Sequence, residues 1–201
     1  MPCRLPQEVR LIRGWSEHPF LTLQELDNTF QAVALIGYHS RIGSGGNPLA
    51  HSYTGKVRYI KINGREASEF LVDAYTSAYI GVPLVFISGD QGICDEATDF
   101  NPAIATVAVK RGVGNSTINI HPDLAVACIR EGMEQALKSG KGQPMVALPD
   151  HFSVEIRYRE AYNAYRYAFY PGARQTGDAT IGFETSNYYE VLRFLMFTVS
   201  A

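Results

Sequence analysis

The sequence predicts an α/β fold in which a layer built on a parallel sheet is followed by a small α+β segment. Residues 32–37 and 82–87 are apolar without alternation, a pattern typical of strands buried on both faces of a parallel sheet. A strand pattern at 57–62 and a helical pattern at 67–80 come directly before the second stretch. This strand–helix–strand unit has the length of a parallel crossover, which favours an α/β layer.

Local signals predict the other elements of the first layer. Residues 9–12 have the pattern of a short strand, residues 42–48 form a glycine-rich loop, and the Asn63-Gly64 pair predicts a turn. Beyond the buried stretch at 82–87 the patterns predict a short helix at 90–98, a strand at 105–109 and a helix at 122–138.

The composition changes after a Gly-, Lys- and Pro-rich linker at 139–149. The segments that follow predict the order βαβα: a strand at 154–158, a tyrosine-rich helix at 159–169, a strand at 179–184 and a helix at 187–199. We therefore expect two domains, an α/β domain of residues 1–143 and an α+β domain of residues 144–201.

Composition excludes several classes of function. The chain of 201 residues has 46% hydrophobic and 19% charged residues, which suits a globular protein with a real core. Its net charge of -2 gives no basic footprint for nucleic acid or an anionic membrane. Cys3, Cys94 and Cys128 match neither a zinc-binding nor a disulfide pattern, which favours a reducing compartment. We expect a cytoplasmic protein with no membrane or nucleic-acid partner.

Tyrosine and phenylalanine recur at helical spacing in the C-terminal part of the chain. Tyr158, Tyr162, Tyr165 and Phe169 are spaced as one helix face. Without interleaved basic residues, this face is interpreted as core or subunit interface rather than as a platform for stacking bases.

Residues 37–69 contain the side chains that can do chemistry. His39 directly follows a buried strand, His51 lies beyond the glycine-rich loop, and Glu69 follows the Asn-Gly turn. Imidazole and carboxylate are the usual zinc ligands where thiolate is absent, and a further histidine can move a proton. Alternatively, the histidines are hydrogen-bonded structural residues, and Glu69 is a solvated residue in the first turn of a helix, where its negative charge suits the helix dipole.

Two further residues lie where α/β proteins place ligands, at the carboxyl ends of strands. Asp90 follows the strand at 82–87, and Lys110 follows the strand at 105–109. We interpret both as substrate-binding residues, Lys110 for a substrate carboxylate or the reaction's oxyanion. The alternatives are that Asp90 caps the next helix and that Lys110 is an ordinary surface lysine.

The order of several motifs resembles a known family, the zinc-dependent D-aminopeptidases of the DppA type (peptidase family M55). The motifs run from LDNTFQAVALIGYHSR through PLAHSY, INGREASE, GVPLVFISGD, VAVKRGVG and IHP to VEIRY, FYPG and NYYEVLRF. The most specific feature is the combination of GYH, a second histidine twelve residues on, and INGREASE.

The resemblance implies a role for each of the three residues. His39 and Glu69 fall on metal ligands of the family, and His51 falls on the histidine that acts in catalysis. It further implies two zinc ions, short peptides with an N-terminal D-amino acid (such as D-alanyl peptides) as substrates, and a ring-like homo-oligomer.

One departure from the family leaves two functions open. The family's N-terminal Asp-x-Glu strand and its later Asp-Ser-His-like segment, which supply metal ligands, have no counterpart in this sequence. We expect weak zinc binding by the chain, because His39 and Glu69 are only two of the three protein ligands that a catalytic zinc normally has. The first function is a zinc aminopeptidase; the second is a truncated, catalytically inactive or partner-dependent subunit that acts as an oligomeric binding module.

Overall fold

The computed structural model describes residues 6–139 and 145–199, with five helices and nine strands in those ranges. The strands are β1 (Val33–Tyr38), β2 (Val57–Ile62), β3 (Arg65–Glu66), β4 (Leu84–Asp90), β5 (Ala105–Val113), β6 (Ser116–Asn119), β7 (Phe152–Tyr158), β8 (Arg174–Gly177) and β9 (Thr180–Thr185). The helices are α1 (Glu69–Ile80), α2 (Gln91–Phe100), α3 (Pro122–Ser139), α4 (Ala161–Tyr167) and α5 (Tyr188–Val199). None of the described helices is both long and apolar enough to cross a membrane.

The first sheet is mostly parallel and has the strand order β1-β4-β5-β6. Every residue of the central strand β4 is buried, as its apolar sequence predicts. The register pairs Tyr38 with Gly89 and Asp90 with Lys110, so the carboxyl ends of β1 and β4 lie beside the later part of β5. These ends form one edge of the sheet.

The second sheet is antiparallel and has the strand order β3-β2-β7-β9-β8. It joins β2 and β3 from the first half of the chain to three strands from the C-terminal part. The division into residues 1–143 and 144–201 stays a prediction, and this sheet draws strands from both sides of it.

Helix α1 packs between the two sheets. Leu71 and Val72 belong to the core of the antiparallel sheet, whereas Phe70 and Ala74 belong to the core of the parallel sheet. The Ser68 side chain caps the first turn of α1 by accepting a hydrogen bond from the Leu71 N–H group, and Gly81 ends the helix in the left-handed conformation. The start of α1 is therefore fixed relative to both sheets.

The α/β fold class is confirmed, but several predicted elements are corrected. Residues 9–12 form no strand. Strand β2 is not part of the parallel crossover, because its alternating residues pair with β3 and β7 in the antiparallel sheet. Tyr158 does not share the aromatic helix face: it is buried on β7, and α4 begins only at residue 161. Part of the predicted linker at 139–149 lies outside the described residues.

Candidate metal centre

Two segments of the chain bring the predicted residues together. His39 and His51 both lie in the connection between β1 and β2, His39 at its first residue, and Glu69 is the first residue of α1. Their ligand atoms all lie within 4.8 Å of one another. In the described part of the chain, this is the one group of at least three His, Cys, Asp or Glu side chains that could hold a metal ion.

The distances in this cluster fit a single metal ion. The rings of His39 and His51 stack with their centroids 4.2 Å apart. The His51 Nε2 atom lies 3.7 Å from Glu69 Oε1. Ligand atoms about 2.0–2.1 Å from a tetrahedral zinc lie roughly 3.3–3.5 Å from each other, so small side-chain rotations would suffice. The donor set of two imidazoles and one carboxylate also suits zinc.

Hydrogen bonds fix which nitrogen of each imidazole is free. His39 Nδ1 lies 3.1 Å from the Ser40 carbonyl oxygen, and His51 Nδ1 lies 2.7 Å from the Leu49 carbonyl oxygen. A carbonyl oxygen only accepts, so both Nδ1 atoms carry the proton and donate. A metal-binding histidine commonly donates its other ring N–H in this way, and here both Nε2 atoms keep a free lone pair.

The environments of His51 and Glu69 differ. The His51 side chain is 46% exposed, whereas the Glu69 side chain is 15% exposed. Glu69 is held from outside its own helix, because the Tyr53 N–H group donates to Glu69 Oε1 over 2.8 Å. Tyr53 adopts a positive φ of 61° to make this contact, an unusual conformation for a large side chain. Glu69 is thus rigidly placed, and His51 is accessible.

His39 lies between two residues that are each bound to a buried aspartate. On one side, the Tyr38 hydroxyl donates to Asp73 of α1. On the other side, Ser40 donates to Asp90 from its backbone N–H (2.7 Å) and from its hydroxyl (2.5 Å). The backbone at His39 is therefore held from both sides, as a metal ligand requires.

The placement of Asp90 favours the capping alternative over the predicted contact with substrate. Its side chain is fully buried and accepts hydrogen bonds from Ser40 and from the N–H group of Ile93, in the first turn of α2. The carboxylate is enclosed by these donors and is linked to the residue after His39 through Ser40. A contact of Asp90 with substrate stays a prediction.

Lys110 lies on β5 and pairs with Asp90 in the sheet register. Adjacent strands are about 4.8 Å apart, so Lys110 lies roughly two strand spacings from the end of β1 at the same edge of the sheet. It is half-buried. Its predicted contact with substrate stays a prediction.

The glycine-rich loop is anchored at Gly46, whereas Gly43 and Gly45 are exposed. The Gly112 N–H group of β5 donates to the Gly46 carbonyl over 2.9 Å. A Cβ atom at Gly46 would lie 2.2 Å from the Ser40 hydroxyl, and one at Gly112 would lie 2.7 Å from the Gly46 oxygen. The loop needs glycine at these positions because its backbone approaches Ser40 and β5 closely.

Two other histidines do not complete the cluster. The His18 ring accepts a hydrogen bond from the Phe20 N–H group, and His121 lies at the start of α3 beside Asp123. Neither belongs to the group formed by His39, His51 and Glu69.

Sequence reasoning missed the buried Asp73. It lies on α1 one turn after Glu69, it is 1% exposed, and burial raises its pKa to about 7. Burial and the neighbouring Asp73 also raise the pKa of Tyr53 well above its ordinary value. The sequence did contain one indication of a functional Asp73: it is a carboxylate among apolar residues, in a helix that begins with a predicted metal ligand.

Comparisons with known proteins point to one family. The peptidase M55 family, D-aminopeptidase, matches residues 1–197 of the chain. The chain is 28% identical over 195 residues to the D-aminopeptidase of Bacillus subtilis (strain 168). The aligned region covers 96% of this chain and 70% of that protein.

A solved structure supports the same relationship. The fold is similar to that of the Zn-dependent D-aminopeptidase DppA from Bacillus subtilis, a self-compartmentalizing protease, with a TM-score of 0.89 and 27% identity. The similarity covers 100% of this chain and 74% of that chain. The absence of the family's N-terminal ligand segment stays a prediction. The match over residues 1–197 nevertheless means that this chain belongs to the M55 D-aminopeptidase family.

Proposed function

We propose that the chain is a zinc-dependent aminopeptidase that hydrolyses short peptides with an N-terminal D-amino acid. The observation that carries this proposal is the convergence, within 4.8 Å, of His39 and His51 from the connection between β1 and β2 with Glu69 of α1. The family membership supplies the substrate class. The second zinc ion that the resemblance implies is part of the same proposal.

Each of the three residues has a distinct role in the proposal. His39 Nε2 and the Glu69 carboxylate hold the metal, because both are anchored by neighbouring hydrogen bonds. His51 is the proton carrier: its Nδ1–H donates to the Leu49 carbonyl, and its exposed Nε2 takes a proton from water and passes it to the leaving amine. Bound zinc would polarise the peptide carbonyl and lower the pKa of a bound water.

A hydrolysis assay tests the proposal. The chain is treated with chelator, reloaded with zinc and given D-alanyl-D-alanine or L-alanyl-L-alanine. We expect release of alanine from the D-peptide only, dependent on added zinc and lost in His39→Ala. Hydrolysis of the L-peptide at an equal rate, or zinc-independent hydrolysis of the D-peptide, would contradict the proposal.

We further propose that the chain forms a homo-oligomer through α4. Tyr162, Tyr165 and Phe169 are 68%, 64% and 74% exposed on one side of this segment. Exposed aromatic clusters of this kind are typical of subunit interfaces. The structurally similar B. subtilis enzyme is self-compartmentalizing, and assembly of this chain into a ring would agree with that description.

Replacing Tyr162, Tyr165 and Phe169 together by serine is expected to reduce the oligomer to smaller species. Light scattering at micromolar concentration measures the mass. The matched control replaces three exposed apolar residues of α3 by serine: Leu124, Val126 and Leu137. A monomeric parent chain, or an unchanged mass in the α4 variant, would count against this interface.

A further inference from the structure

The buried carboxylate of Asp73 connects the elements that carry the two proposed metal ligands. Asp73 lies on α1 four residues after Glu69, so the two side chains occupy adjacent turns on one side of the helix. The Tyr38 hydroxyl donates to Asp73 Oδ2, and Tyr38 directly precedes His39. One hydrogen bond therefore joins the end of β1 to the first turns of α1.

The second oxygen of Asp73 is also occupied. It accepts a hydrogen bond from the Thr22 hydroxyl over 2.5 Å, and Thr22 belongs to a short 3-10 turn at Leu21–Leu23. Both oxygens are thus held by neutral hydroxyl donors. In the described part of the chain, no Lys or Arg side chain lies within ion-pair distance of this carboxylate.

The segment that carries His51, the third residue of the proposed site, also lies near the Asp73 carboxylate. Tyr53 follows His51 by two residues, and its hydroxyl is buried without a hydrogen-bond partner among the described residues. Asp73 is the foremost charge acting on this hydroxyl. Asp73 lies one turn of α1 after Glu69 and has no Lys or Arg partner among the described residues, so in its ionised form it favours a divalent cation at the cluster.

We propose that Asp73 is a positioning residue of the metal centre: through Tyr38 it sets the separation of His39 and Glu69. The inference rests on the proposed metal site. Removing a residue that orients a metal ligand typically lowers metal affinity by about 10–100-fold.

Two variants test Asp73 by removing its contacts selectively. Tyr38→Phe removes only the hydroxyl that reaches Asp73, and Asp73→Asn keeps the shape of the side chain but removes its charge. We expect each to weaken zinc binding by about 10–100-fold, measured by competition with a chromophoric chelator. Thr22→Val breaks only the contact with the 3-10 turn and should change zinc affinity by less than about threefold.

The control is a second tyrosine–carboxylate pair on the antiparallel sheet. The Tyr59 hydroxyl of β2 donates to Glu155 of β7 over 2.8 Å, and neither residue belongs to the cluster. Tyr59→Phe should leave zinc affinity unchanged. Unchanged affinity in both Tyr38→Phe and Asp73→Asn would overturn the inference.

An NMR measurement on the metal-free chain tests the role of Asp73 independently of the proposed enzymatic function. Because the His39 and His51 rings stack, each ring shifts the proton NMR signals of the other. We expect Tyr38→Phe and Asp73→Asn to move these ring signals and to leave those of His121 and His151 in place. Ring signals identical to those of the parent chain would overturn the inference. A parent chain that binds no zinc would overturn the proposed function, while the ring signals would still decide the role of Asp73.

Discussion

Replacing His51 by alanine is expected to lower the turnover of D-alanyl peptides by about 10²–10⁴-fold while zinc stays bound. The reason is the difference in how the two histidines are held. His51 lies in a surface loop and is 46% exposed, whereas His39 directly follows the edge strand β1 and is flanked by Tyr38 and Ser40, each bound to a buried aspartate. The exposed ring can exchange protons with water and product without releasing the metal.

The companion variant, His39→Ala, should lower both zinc content and turnover. Zinc content after dialysis and steady-state kinetics measure the two effects. His121→Ala is the control, since His121 lies outside the cluster. Loss of zinc in His51→Ala but not in His39→Ala would show that the two roles are reversed.

Replacing Asp90 by alanine is expected to lower the free energy of unfolding by about 2–4 kcal/mol. The change removes the cap of α2, which costs about 0.5–2 kcal/mol, and leaves buried donors of Ser40 unpaired, at about 1–3 kcal/mol. For a chain of this size the midpoint of thermal unfolding should fall by roughly 5–15 °C. Turnover should fall as well, because Ser40 follows His39 directly.

Two further variants show whether the loss of stability comes from the buried hydrogen bonds of Asp90. Asp123→Ala removes an exposed acidic residue in the first turn of α3 and should change stability by less than about 0.5 kcal/mol. Asp90→Asn keeps an acceptor for Ser40 and should be milder than Asp90→Ala. If Asp90→Ala unfolds like the parent chain and only raises KM, Asp90 contacts substrate as the sequence first predicted.

The central strand of the parallel layer could be predicted because every residue of β4 is buried, whereas β1, also predicted to be buried on both faces, lies at the sheet edge and leaves Ile36 and Gly37 exposed. An uninterrupted apolar stretch such as that of β4 has few alternatives, and its observed bounds are within a few residues of the predicted ones. The partners of β2 could not be predicted in this way. Its alternation indicates one buried face but does not say which strand lies beside it, and it pairs with β7 from the other end of the chain.

Residue type and position singled out His39, His51 and Glu69, but only the resemblance gave each of them a definite role. Spacing alone could not show that His39, His51 and Glu69 meet, because the loop and the antiparallel strands between them decide their separation. Asp90 was ambiguous for a physical reason: a carboxylate after a buried strand can either face a ligand or cap the next helix. Asp73 gave only the signal of a carboxylate among apolar neighbours, which did not reveal its role, since that role depends on Tyr38 and Thr22, distant in sequence.

The most direct test of the account is the position of zinc in a crystal of the zinc-loaded chain, measured by anomalous scattering at the zinc absorption edge. The account predicts a peak about 2.0–2.2 Å from both His39 Nε2 and a Glu69 carboxylate oxygen, with His51 Nε2 facing the open side of the ion. A zinc peak bound elsewhere, or none near His39 and Glu69 at saturating zinc, would contradict it.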